Sequence, residues 1–243
     1  MATDNEYIAL MFNDIAPTYD KLNHILSLNV DKSWRRKAVK RLKKALTSGE
    51  NASILDVACG TADSTVKIAE KVENAKVFGI DISTKMLEIG KEKTEKKGLQ
   101  DRISFSISSA ENIGFKDDTF DAAMVAFGVR NFSDREKGLK EILRVLKPEG
   151  TLIILELSEP QNVMVRWFYN LYFKNILPHI GKRVSGNANA YRYLQQTVEK
   201  FPMPEEFMSM LNDCGFKELT HKALSCGLCR IYQAKKQNEQ GVI

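Results

Sequence analysis

From Ser53 onward the chain alternates short, nearly unbroken apolar runs with longer segments whose apolar positions recur every three or four residues. SILDVA, KVFGID, ISFSI, FDAAMVAF and GTLIILEL have the length and composition of buried strands, whereas Thr65 to Val72 and the stretch REKGLKEILRVL carry helical periodicity. Ser83 is placed to cap a further helix running to Lys97, and Gly98 follows where a left-handed residue closes a helix. Strands separated by helices imply parallel pairing through right-handed crossovers, hence an α/β, doubly wound sheet. Two last runs, FKELTHKAL and GLCRIYQAK, read as an antiparallel hairpin at one edge, bringing the expected sheet to seven mostly parallel strands.

Residues 1–50 and 160–200 fall outside this alternation. Both read as helical, the first as a cover over one end of the sheet and the second as an inserted lid, within a single domain spanning 1–243. Residues 163–177, VMVRWFYNLYFKNIL, are apolar almost all round, which fits either a core helix or a cover resting on a lipid interface.

Composition narrows the setting. The chain has 243 residues and a net charge of +5, and eight of its bases, with no acid, lie between Lys32 and Lys44. Trp34, Ala38, Leu42 and Leu46 form an apolar stripe through this stretch, so the bases would form a solvated face, with an anionic lipid surface as the sharper alternative. No recognition motif accompanies the patch, which argues against nucleic acid. Four cysteines are too few for a disulfide scaffold, and the N-terminus shows no leader pattern, so a cytoplasmic protein with reduced thiols is expected, peripherally bound to membrane at most. The lone C-x-x-C at Cys226 and Cys229 lacks a second pair, and no metal is expected.

In such sheets ligands bind beyond the carboxyl ends of the strands. The first strand runs into Asp56-Val57-Ala58-Cys59-Gly60-Thr61-Ala62, and the second ends at Asp81. An acid at the first strand end suits an ammonium group better than a pyrophosphate, and Asp81 is placed to accept from ribose hydroxyls. The pair therefore favours S-adenosylmethionine over a dinucleotide. Ser109 and Ala110 follow the third strand, where a turn could bracket an adenine edge. The fourth strand ends in AFGVRN, which brings Arg130 and Asn131 to the same edge as Ala126.

These elements, in this order, resemble the class I S-adenosylmethionine-dependent methyltransferases, and within them the ubiquinone/menaquinone biosynthesis C-methyltransferase family. Tyr19-Asp20-Lys21-Leu22-Asn23-His24-Ile25-Leu26-Ser27 with Trp34 is similar to one family signature, and Arg144 to Gly150 through Glu156-Leu157-Ser158 to the other. The resemblance implies cofactor contacts at Thr61, Asp81, Ser109, Ala110 and Ala126, beside Asp56 and Gly60. Four positions depart from it: Ala62 and Glu149 stand where glycine is usual, Ala126 where serine is, and Asp31 where histidine is.

The implied reaction is C-methylation of a demethylated polyprenyl quinol, demethylmenaquinol first, with a benzoquinol precursor as the alternative acceptor. A phenol titrates near 10, so ionising it at pH 7 costs roughly 4 kcal/mol, and a nearby cation can supply about 1 to 3 pKa units of that. Arg130, steadied by Asn131, is the expected cation, with Tyr19 and Asp20 as the opposite wall and His24 as a candidate proton carrier. A non-catalytic cofactor-binding subunit and an O-methyltransferase are the competing readings, and a homodimer is left open.

Overall fold

The computed structural model describes residues 4–46, 51–171 and 188–238, with the side chains of 4, 168, 170 and 188–192 left aside. The described strands are β1 (Ser53–Val57), β2 (Lys76–Asp81), β3 (Ile103–Ile107), β4 (Phe120–Ala126), β5 (Leu146–Leu157), β6 (Phe216–Leu224) and β7 (Cys229–Lys236). They form one sheet in the order β3-β2-β1-β4-β5-β7-β6. All pairs up to β4–β5 are parallel, and β5–β7 and β6–β7 are antiparallel. The reversal of strand order between β1 and β4 opens the crevice in which doubly wound sheets bind ligands.

Between the strands lie α3 (Asp63–Lys71), α4 (Thr84–Lys96) and α5 (Arg135–Val145), while α7 (Ala188–Glu199) and α8 (Pro204–Asp213) precede the final hairpin. Strand alternation divides the core. Ile54, Met124 and Ile153 face the layer holding α2 (Val30–Ala45) and α3, and their neighbours Leu55, Val125 and Ile154 face α5 and α8. Ser83 accepts from the Met86 amide at 3.2 Å, and Gly98 takes φ +64 as expected of a helix end.

Three boundaries differ from expectation. Helix α3 begins two residues early because Ala62, at φ +67 and ψ 22, turns the chain into it. Strand β5 starts at Leu146 rather than Gly150, since Leu146 pairs with Phe120 before the register shifts at Thr151, and Glu149 takes φ +65 within that shift. The helix at 163–177 is described as α6 (Val163–Leu171), and it is no core helix: Val163 is 80% and Trp167 60% exposed. Tyr172 and Phe173 lie outside the described residues.

The N-terminal region is two helices, α1 (Asp4–Leu26) and α2, joined at Leu28 and Asn29, both with positive φ. Ile15 and Ala16 of α1 pack on Met86 of α4, which lays α1 across the carboxyl ends of β1 and β2. Trp34, Ala38 and Leu42 bury the expected apolar face of α2. Its basic face is not wholly solvated, however. Arg35 turns inward, and Arg41 donates to Gln233 and Thr220, each at 2.6 Å.

Candidate active site

Tight backbone turns build the floor of the crevice. Ala58, Gly60 and Ala62 all have positive φ, so the chain leaving β1 winds closely enough to present amides toward the cleft. Asp81 holds this turn by accepting from the Gly60 amide at 2.8 Å and the Ser83 amide at 2.9 Å. Burial raises its pKa, and the backbone amides pull the other way. Past β4, Gly128 passes so near β1 that an added Cβ would lie 2.8 Å from Ala58 Cβ.

A cleft of roughly 740 Å³, measured to its open mouth, lies above this floor. Gly60, Thr61, Asp81, Ala110, Ala126 and Asn131 line it. Asp56 does not. It is fully buried on the α3 side of β1, accepts from Thr65 Oγ1 at 2.6 Å, and leaves Oδ1 without a partner. Burial pushes its pKa up to about 7. Ser109 is also outside the lining. Its backbone bridges to Asn112, and Ser108 and Glu111 face the cleft instead. Glu111 fixes the loop after β4 by accepting from the Ser133 amide at 2.9 Å.

A second, apolar cavity of about 1330 Å³, again measured to its mouth, adjoins the cleft. Tyr19, Arg35 and Phe127 line both, so the two spaces meet at these side chains. Phe127 adopts φ +61, an uncommon conformation for an aromatic residue, and its ring lies 4.8 Å beneath the Arg35 guanidinium.

Arg130 lines the apolar cavity and is only 8% exposed. Its Nη1 donates to Glu156 Oε1 at 2.7 Å and to the Phe127 carbonyl at 2.6 Å, and its Nε has no partner. Glu156 therefore steadies Arg130, rather than Asn131 as expected. Asn131 donates to the same Phe127 carbonyl at 3.4 Å and turns toward the cleft, where its buried Oδ1 is also unpartnered. Tyr19 faces Arg130 across the cavity. Burial raises the Tyr19 phenol and the guanidinium lowers it.

Asp20 is not in either lining. It accepts from Thr61 Oγ1 at 2.5 Å and from Lys93 at 2.9 Å, and Lys93 also reaches Asp63, so Asp20 ties α1 down over the cleft. The wall of the apolar cavity holds two residues that sequence reasoning missed, Arg35 and Phe127, and leans on a third, Glu156. Glu156 had a signal: it is the one acid inside the apolar run GTLIILEL, and a charge in a buried strand needs a partner. Arg35 had none, being one base among eight.

Comparison with known proteins places the chain in a family. The profile of the ubiE/COQ5 methyltransferase family matches residues 1–236. A demethylmenaquinone methyltransferase of Bacteroides fragilis is 41% identical over 232 residues, covering 96% of this chain and 93% of that one. The ubiquinone/menaquinone biosynthesis C-methyltransferase UbiE of Geotalea daltonii is 43% identical, covering 95% and 97%. Among solved structures, a SAM-dependent methyltransferase from Aquifex aeolicus superposes with TM-score 0.57 at 23% identity, over 82% of this chain and 88% of that one. The cyclase SpnF gives TM-score 0.69 at 17% identity over 97% of each chain, so the fold by itself does not dictate a reaction. With the family profile spanning nearly its whole length and relatives above 40% identity at full coverage, the chain belongs to the ubiE/COQ5 methyltransferase family.

Proposed function

We propose that the protein transfers a methyl group from S-adenosylmethionine to a ring carbon of a demethylated polyprenyl quinol, demethylmenaquinol before a benzoquinol. The donor fits the residues of the cleft. Asp81 offers carboxylate lone pairs beside the Gly60 turn, Asn131 Oδ1 is an orphan acceptor in the wall, and a side chain at Gly60 would meet nothing within 4 Å. When bound, that cofactor supplies a methyl already activated on a positively charged sulfur, so the protein has mainly to align and polarise the acceptor.

The observation that carries the acceptor assignment is Arg130. It is a buried cation with an unpartnered Nε in a mostly apolar cavity that opens onto the cofactor cleft. A quinol ring placed there finds a donor for a developing phenolate, and ionisation of that hydroxyl is what makes the neighbouring ring carbon nucleophilic. Arginine offers only donors and stays charged, so it stabilises the anion without taking the proton. Tyr19, kept neutral by burial, can donate to a quinol oxygen from the opposite side.

The mouth of the cavity suits a lipid-soluble tail. Leu28 is 76% exposed and Val30 37%, and Val165 and Tyr169 of α6 line the same space. Lys32, Arg36, Lys37, Lys40, Lys43 and Lys44 are exposed on α2, whose first turn lines this cavity, which suits an anionic bilayer as the surface from which substrate enters. No described helix is long and apolar enough to cross a membrane. Incubation with labelled donor and each reduced precursor, followed by product mass and by NMR to locate the methyl on carbon or oxygen, tests the assignment. Methylated naphthoquinol is expected, and an oxygen-methylated product or none would refute it.

A further inference from the structure

Methylation at a ring carbon leaves that carbon bearing both the new methyl and its original hydrogen. The sulfur keeps the electrons of the broken S–C bond, the ring donates the pair that forms C–C, and the ring C–H must then release a proton to restore aromaticity. One proton per turnover has to leave a cavity lined mostly by apolar groups. Arg130 cannot take it, Glu156 is engaged with Arg130, and Tyr19 is held protonated by burial.

Resting on the reading above, we propose that Asp31 and His24 form the exit for this proton. Asp31 lines the apolar cavity and is only 3% exposed. Its Oδ1 accepts from Ser27 Oγ at 2.7 Å, and its Oδ2 lies 2.9 Å from His24 Nδ1. The other imidazole nitrogen, Nε2, stands 3.8 Å from Asp63 Oδ2, and the His24 and Asp63 side chains are 22% and 21% exposed. The chain of groups thus runs from the cavity wall to the protein surface. Asp31 takes the proton, Nδ1 receives it as Nε2 gives up its own, and Asp63 or water at the surface accepts that one. An imidazole flanked by carboxylates on both nitrogens is arranged for this transfer.

The surrounding charges leave the pair usable. Arg35 of α2 places Nε 3.8 Å from Asp31, and Lys93 of α4 bridges Asp63 of α3 to Asp20 of α1. These cations also make a divalent metal a poor occupant for the three donors, which lie within 4.8 Å of one another. The departure at position 31 thereby acquires a role, because aspartate there faces a histidine one helix turn past Asp20.

Two measurements decide the matter. In the ligand-free protein, the His24 imidazole is followed by NMR through a pH titration. Asp31→Asn keeps the side chain's shape and shifts the His24 Nδ1 resonance, whereas an unmoved resonance overturns the pairing whatever the substrate is. In the methyl-transfer assay, Asp31→Asn and His24→Gln each lower kcat about 100-fold, at the lower end for general acid–base catalysis. Acceptor KM changes little, the acidic limb of the pH profile is lost, and added formate partly rescues Asp31→Ala. A purely structural role would instead lower Tm and raise KM without rescue. Wild-type kcat in Asp31→Asn overturns the exit alone, while a wild type inactive on every quinol overturns the acceptor reading and the exit with it.

Discussion

The buried Arg130–Glu156 pair makes the simplest mutation a poor test of its catalytic role. In Arg130→Ala, Glu156 would keep a charge at 0% exposure with no counterion, a change worth about 3–5 kcal/mol out of a typical stability of about 5–15 kcal/mol. Lost turnover could then be lost fold. Replacing both, as Arg130→Met with Glu156→Gln, removes the two charges at similar volume and is close to neutral by comparison. Glu156 also accepts from the Arg130 and Leu157 amides at 3.2 and 2.9 Å. Glutamine can satisfy one of these, so a cost of about 1–3 kcal/mol remains for the other. The chemical effect is larger. A cation at contact distance lowers a phenol pKa by about 1 to 3 units, each equal to about 1.4 kcal/mol and tenfold in rate. At pH 7 the double variant should lose about 10- to 1000-fold in kcat. The deficit should shrink as pH rises toward the phenol's own pKa, because the acceptor then ionises unaided. Initial rates with a short-chain demethylated quinol and labelled donor, from pH 6 to 9, measure this, with the folded fraction checked by denaturant unfolding. A deficit that stays constant across that range would refute electrostatic activation of the acceptor.

Asp56 carries a stability signature of opposite sign to a paired carboxylate. Its pKa is raised from the ordinary 3.8 to about 7, so the folded chain holds a proton that the unfolded chain has released, and stability falls as pH rises through that window. The full penalty, up to about 4 kcal/mol, applies above pH 7, and Asp56→Asn should recover part of it at pH 8 and nothing at pH 4. Urea unfolding at the two pH values checks this, and an unchanged pH slope in the variant would count against it. For the membrane surface, co-sedimentation with phosphatidylglycerol vesicles should exceed that with phosphatidylcholine and weaken in high salt. Reversing Lys32, Arg36 and Lys40 to glutamate should abolish the difference, and retention of binding in that variant would rule out the basic face of α2.

The sheet was legible because its inner strands β1, β4 and β5 are buried on both faces and read as apolar runs, and its helix ends because Ser83 and Gly98 do local jobs that local sequence reveals. Some errors at the site had a legible correction. Tyr19 and Asp20 are adjacent on α1 and so point about 100° apart, which sends one side chain to the cavities and the other to Thr61 and Lys93. Asp56 shares the strand face of Ile54, so alternation already assigned it to the buried side beneath α3. Other features depend on contacts the sequence does not announce. Trp34 Nε1 donates to Ser225 Oγ at 2.9 Å across 191 positions, and Arg35 reaches Ser64 at 3.1 Å while six other bases of its helix stay in solvent.

The departures from the family pattern make the same point about where local physics governs. Two of them, Ala62 and Glu149, replace a usual glycine, and both residues sit at positive φ, +67 and +65. Glycine's freedom explains the usual choice there, and a side chain in that conformation costs about 1–2 kcal/mol. At Ala62 the cost falls on the turn into α3 while the cleft stays open, since Gly60 and Thr61 still line it. At Glu149 it falls in the register shift of β5, where the carboxylate gains Lys235 at 3.9 Å. A third, Ala126, keeps its place in the cleft wall without a hydroxyl, beside an orphan acceptor on Asn131. Asp31, the fourth, pairs with His24. None of the four disturbs Asp81 or the Arg130–Glu156 pair, so the chain has varied around its two cavities while keeping the groups that polarise their contents.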